Sequence, residues 1–188
     1  MKFSKKAEYG LRAMIDLGIA HSLDYEVVAL SDLAEAENLP LKFLEQIFLQ
    51  LRREGFVKTQ RGKTGGYYIA KDMKEVRMGD LVRSLDGPLA PISCASQTAY
   101  ERCSCPDEEH CGLRMLMIDV RNAVSNILDR YTLRDVVEVT LRKIRRTGAD
   151  NYFMRMRNNA QRGDSAPENP ADPKLGFLAE FMNNVEES

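Results

Sequence analysis

The sequence predicts a mainly α-helical chain with one small β-hairpin: a winged helix-turn-helix domain followed by a long dimerisation helix. Three observations predict it. Two short amphipathic helices meet at a tight break at residues 38–40. Two alternating segments then flank a basic, glycine-rich run, QRGKTGG, at residues 60–66. A wide apolar stripe between Leu113 and Tyr131 is left over once that hairpin is complete.

At 188 residues the chain fits one ordinary domain with an extension, or two small ones. A hydrophobic fraction of 44% is enough for a real core. No apolar run reaches the length that spans a bilayer, so no membrane association is expected. The net charge of −1 gives no global reason to bind nucleic acid, so any basic surface must be local.

Residues 3–22 read as a helix, capped by Ser4, with Glu8 in its first turn and Leu11, Met14, Ile15, Gly18 and Ile19 at helical spacing. A polar turn at 21–26 ends it, and Val27, Val28 and Ala29 form a short extended piece. Ser31 starts a short helix through Leu33 and Ala34. The next helix runs from about Leu41 to Glu54, apolar at Phe43, Leu44, Ile47, Phe48 and Leu51, and Gly55 stops it. Two short helices across a tight turn, the second ending in basic residues, have a helix-turn-helix layout, although a plain helical hairpin has the same outline.

The next segment separates those readings. Residues 56–59 and 67–70 alternate like strands around the glycine-rich loop, which makes a wing. From Arg52 to Lys63 the positives are Arg52, Arg53, Lys58, Arg61 and Lys63 against Glu54 alone, a local balance of +4. Such a tip suits close approach to a phosphate backbone, because glycine lets main-chain N–H groups reach the strand. Residues 78–86 form a short helix closed by Gly87 and Pro88. From Leu113 the apolar stripe includes Leu116, Met117, Val120, Ala123, Val124, Ile127 and Leu128; with the winged domain already complete, this face is expected to pack on a second subunit. Thr132 caps a last helix to about Arg146, with Val136, Val139, Thr140 and Ile144 inward. Beyond Thr147 the composition turns to Asn, Arg, Gly, Asp and Pro, as in a flexible extension, with a short amphipathic helix expected over 174–185.

Every cysteine falls within residues 93–112: Cys94, Cys103, Cys105 and Cys111. Buried free cysteines act as small apolar side chains and should be scattered through apolar periods; these sit among Ser, Glu, Asp and Pro. A disulfide pair is the plainest reading, but the charged N-terminus does not resemble a secretory signal, and a reducing cytoplasm disfavours stable disulfides. Zinc sites present short C-x2–4-C knuckles, whereas the gaps here are eight, one and five residues. An iron–sulfur cluster accepts thiolates from a looser loop, so spacing favours metal, and a cluster over zinc.

The opening MKFSKKAEYGLRAMIDL, the run FLEQIFLQLRREGFVKTQRGKTGGYYIAKD, and MGDLVRSLDGP before a cysteine loop resemble the IscR/NsrR-type (Rrf-two) family of bacterial transcription regulators over about residues 1–146. The resemblance implies a dimeric winged helix-turn-helix regulator in the cytoplasm that binds double-stranded promoter DNA. It also implies an iron–sulfur cluster, [2Fe–2S] or [4Fe–4S], whose state tunes DNA affinity. Four segments follow: 1–87 as the DNA-binding domain, 88–112 as the cluster loop, 113–146 as dimerisation helices and 147–188 as the extension.

Carried over by position, Lys42, Phe43, Glu45 and Gln46 fall on the exposed start of the recognition helix. Gln46 can donate and accept at a base edge, and Glu45 can accept from cytosine. Phe43 has a packing reading of equal standing. Arg52 is placed on a phosphate, and Arg61, Gly62 and Lys63 on the wing tip. Among the cysteines, Cys94 and Cys111 match the first and last of the common three-cysteine pattern. Cys103 and Cys105 compete for the middle, with Cys105 fitting the spacing and the following Pro106 better. Where some members place a histidine ligand, this chain has Arg114, which cannot bind iron. A fourth ligand is then sought in the spare cysteine, in His110, or in Glu8 of the other subunit, although Glu8 also reads as a carboxylate favoured at a helix N-terminus.

The expected mechanism is a switch. Oxidation, nitric oxide or iron loss releases the loop and shifts the spacing of the two recognition helices. Zinc, or thiols sensing by reversible disulfide, would serve the same fold without a cluster. A small iron–sulfur redox protein is the rival from another class. Against it, the chain has no Rossmann or P-loop glycine fingerprint, and only His21 and His110 for acid–base work.

Overall fold

The computed structural model describes residues 2–62 and 65–147. Lys63, the extension from residue 148 and the helix expected over 174–185 lie outside the described residues.

Helix α1 (Lys5–Ser22) is the central element. Ser4 caps it by accepting from the Ala7 amide at 3.1 Å, and the Ser4 amide donates to Asp86 at 2.9 Å. Its buried line is Ala7, Ala13, Met14, Leu17, Ile19 and Ala20. Leu11 and Ile15, expected inward, are only partly buried against that core. Packing on several sides of α1 favours its small residues at the closest approaches.

Helix α2 (Leu30–Ala36) starts one residue before Ser31, so Ser31 does not cap it; its hydroxyl lies 3.3 Å from Asp32. The start is set by the preceding extended piece, where Val28 and Tyr67 exchange backbone hydrogen bonds of 3.0 and 2.8 Å. Helix α3 (Leu41–Arg53) buries Leu44, Ile47, Phe48 and Leu51. It ends at Gly55, whose φ of +76° is open to glycine at little cost. Strands β1 (Val57–Gln60) and β2 (Gly66–Ile69) pair antiparallel, Val57 opposite Ile69 and Gln60 opposite Gly66. The wing is therefore formed as expected, with β1 running one residue later and β2 one residue earlier.

Helix α4 (Met78–Asp86) buries Met78, Leu81, Val82 and Leu85. A loop with a 3-10 turn at Ser93–Ala95 leads to α5 (Gly112–Arg130), and α6 (Leu133–Arg146) follows. Thr132 and Asp135 form a capping box at the start of α6. Helix α6 packs on the core of its own protomer. Leu133 and Val137, neither picked from the sequence pattern, are fully buried in the same core as α1. Val139 and Ile144 are buried as expected, but Val136 is only half-buried and the Thr140 hydroxyl donates to the Val136 carbonyl at 2.8 Å. Backbone bonds from Met78 to Tyr131 (2.9 Å) and from Leu133 to Val76 (2.7 Å) fasten the α5–α6 joint to the head. Helix α6 thus closes the reading head, and α5 alone projects from it, with none of its residues buried.

Candidate DNA interface and thiol loop

Burial of one face of α3 fixes what the other face offers. With Leu44, Ile47, Phe48 and Leu51 inward, Lys42, Phe43, Glu45, Gln46 and Arg52 are all exposed. Phe43 combines both of its readings: it is 37% exposed, yet its ring meets Tyr9 edge-on at 5.8 Å. The helix-turn-helix corner is locked to α1 through Arg12, which pairs with Glu37 and donates to the Glu37 carbonyl at 2.9 Å. Gln50, on the inner side of α3, donates to the Ser84 carbonyl and so fixes α3 against α4. Arg61 and Gly62 are exposed at the wing, with Gly62 at φ +123°. A ridge of amide, carboxylate and ammonium groups beside a basic wing fits a major groove and its flanking phosphates.

The structure gathers the four cysteines. Cys103 neighbours both Cys94 and Cys105, and Cys105 neighbours Cys111. Burial, and then the neighbouring Cys103, push the Cys94 thiol up; the hydrogen bond with Cys103 pushes Cys105 up to about 11. The loop thus brings four soft sulfur donors into one chain of contacts, and the donor chemistry fits a thiolate-binding metal or cluster. The contacts are thiol to thiol. Among the described residues, no three His, Cys, Asp or Glu side chains already converge on a point in metal-binding geometry. Cys103 lies between Cys94 and Cys105, so it belongs to this sulfur chain as much as Cys105 does.

The other two ligand candidates have carboxylate or cationic partners of their own. His110 Nδ1 lies 2.9 Å from Asp107 on an exposed side chain. Glu8 pairs with Lys5 at 2.8 Å and Arg12 at 3.8 Å, and the Lys5 hydrogen bond holds its carboxyl below the usual range.

Residues not picked out from the sequence hold the loop. Arg114 Nε donates to the Cys94 carbonyl at 3.0 Å and lies 3.3 Å from Glu108, which also accepts from the Tyr100 hydroxyl at 2.8 Å. Arg121 Nη1 donates to the Ala95 carbonyl at 2.6 Å. Arg83 of α4 pairs with Asp129 near the far end of α5. The only signal in the sequence is spacing: 114, 121, 125 and 129 fall on one helical face. The opposite face exposes Leu113 (59%), Leu116 (55%), Val120 (36%) and Ile127 (50%). Helix α5 therefore meets its own protomer through these polar groups and the half-buried Ile118 and Leu128, and turns an apolar stripe outward.

A recognition helix with an exposed polar face, a wing and a locked corner define a helix-turn-helix transcriptional regulator. Residues 3–139 match the family model described as Rrf2, iron-dependent transcriptional regulator, and the chain belongs to that family. It is 35% identical over 136 residues to a putative HTH-type transcriptional regulator, rrf2-like, of Rhodobacter capsulatus, covering 71% of this chain and 91% of that one. The structure of CymR, described as the global cysteine regulator of B. subtilis, superposes with a TM-score of 0.62 at 34% identity, covering 73% of this chain and 97% of that one. The structure of T. potens IscR gives a TM-score of 0.58 at 29% identity, covering 73% and 87%. Among the described residues, no helix is long and apolar enough to cross a membrane.

Proposed function

We propose that the protein is a cytoplasmic, homodimeric regulator in which the state of the cysteine loop sets affinity for promoter DNA. Gln46 and Glu45 read base edges, Lys42 and Arg52 contact phosphates, and Arg61, Gly62 and Lys63 carry the wing to the adjacent groove. Phe43 braces α3 on Tyr9 while its outer edge meets the DNA. The outward stripe of α5 pairs with that of a second copy, so two heads address two half-sites.

One observation supports the reading of the loop: four thiols that neighbour one another in a chain from Cys94 through Cys103 and Cys105 to Cys111, at the start of α5. Cys94, Cys103, Cys105 and Cys111 would hold an iron–sulfur cluster, which when bound supplies a tie across the loop that responds to oxidant, nitric oxide and iron supply. With Cys103 included, the donor set closes within one protomer, and Glu8 keeps its partners on α1.

Titration of anaerobically purified protein against its promoter, with and without cluster, tests the proposal. An affinity change of about tenfold is expected, well within the few kcal/mol that separate specific from non-specific binding; equal binding would rule the switch out. Iron and sulfide counts decide cluster type, and Cys94→Ala is expected to bleach the visible absorption. The same thiol contacts favour one second reading, a regulator that senses by reversible disulfide. It is chosen instead if reconstituted protein stays colourless and oxidant alone changes promoter affinity.

A further inference from the structure

We propose that Arg114 and Arg121 are positioning residues that tie the cysteine loop to α5, through which the loop acts on the reading head. This deepens the reading of the loop given above and rests on it. Neither residue is a thiol donor, and neither belongs to the recognition helix or the wing.

Seven residues separate the two arginines, so they stand two turns apart on one face of α5. Each guanidinium holds a carbonyl of the same 3-10 turn: Arg114 that of Cys94 at 3.0 Å, Arg121 that of Ala95 at 2.6 Å. Cys94 and Ala95 are buried, so these carbonyls have little water to turn to if the arginines leave. Arg114 also lies 3.3 Å from Glu108, on the other arm of the loop. A single guanidinium therefore spans the loop, and a second grips its first arm.

Between these ties and the next one down α5 the surface is recessed. A cavity of about 250 Å³ lies there, lined by Arg83, Leu89, Ser96, Thr98, Arg121 and Asp129. Below it, Asp129 pairs with Arg83 of α4, and a Cβ on Gly79 of α4 would run into the Asp129 carboxylate. No side chain of α5 is fully buried, and the apolar Ile118 and Leu128 on this face are half-buried. The upper half of α5 is fastened to the 3-10 turn by directional hydrogen bonds, which weaken steeply with angle and distance. A change in loop shape that moves the Cys94 and Ala95 carbonyls releases the upper attachment, while the joint at Arg83 and Asp129 remains as a pivot against the head.

Full-length Arg121→Met and Arg114→Met proteins test this, with Arg121→Lys to keep the charge and one donor. In reduced, metal-free protein, amide exchange over residues 93–99 is expected to rise by about tenfold in either Met variant, the scale of losing a charged hydrogen bond at a buried acceptor. Arg121→Lys is expected to recover part of that protection. The ratio of affinities between loaded and metal-free protein should fall toward one in the Met variants, with iron content retained. Wild-type exchange in both Met variants, or a wild-type affinity ratio at full iron content, would overturn the proposal. A ratio of one in the wild-type protein sinks the reading of the loop as a DNA switch, while exchange over 93–99 still decides whether the arginines tie loop to helix.

Discussion

Glutamate at Leu116 and Ile127 of α5 should separate the dimer without unfolding the protomer. Both side chains are about half exposed in the single chain, 55% and 50%. Fully burying such a side chain is worth about 1.5–3 kcal/mol, so covering the exposed half contributes about 1 kcal/mol. A two-fold interface uses each residue twice, which gives about 4 kcal/mol. That corresponds to roughly a thousandfold in the dimer dissociation constant, before the cost of burying a carboxylate is counted. Sedimentation or light scattering across a dilution series is the assay. Wild-type protein is expected as a dimer and Leu116→Glu/Ile127→Glu as a monomer, with unchanged far-UV circular dichroism and thermal midpoint, because both side chains lie on the exposed face of α5. A double variant that stays dimeric, or one whose head melts early, would refute the assignment of this face.

The remaining predictions concern the head and the loop. Gln46→Ala should weaken specific promoter binding by about 1–3 kcal/mol while leaving non-specific binding unchanged, because a bidentate side-chain-to-base pair carries discrimination; fluorescence anisotropy on matched and scrambled duplexes checks it, and an equal loss on both would place Gln46 on the backbone instead. Leu133→Ala should lower the stability of the whole head by about 2–5 kcal/mol, the cost of a cavity at a fully buried leucine; an unchanged thermal midpoint would mean that α6 does not close this core. Oxidation of metal-free protein with two equivalents of a two-electron oxidant should join Cys94 to Cys103 and Cys105 to Cys111, one disulfide and two protons lost per equivalent, because these thiols are neighbours in the loop. Peptide mapping that found disulfides only between chains would contradict the loop geometry.

Local signals carried far in this chain. The Ser4 cap, the α3 stripe of Leu44, Ile47, Phe48 and Leu51, the Gly55 stop and the Thr132 cap each depend on residues within a turn or two, and each element formed within a residue or two of where it was expected. The wing was legible for the same reason, since a glycine-rich run between two alternating segments specifies a hairpin almost by itself. Concentration of all four cysteines in one polar segment marked the loop as chemical rather than structural.

Tertiary structure decided what depends on distant partners. Helical periodicity cannot say which neighbour a stripe meets, so α6 read as part of the dimer unit until Leu133 and Val137 were seen against α1. Nor could it show which face of α5 meets its own protomer and which is left exposed. Arg114 reads in sequence as an absent ligand, and Arg121 as an ordinary surface charge. Each meets a carbonyl 20 or 26 residues away only because the loop folds back along α5. The order of the residues fixed the period and the caps because backbone conformation responds to near neighbours. Only the folded chain could bring one end of a loop to a helix two turns beyond its other end.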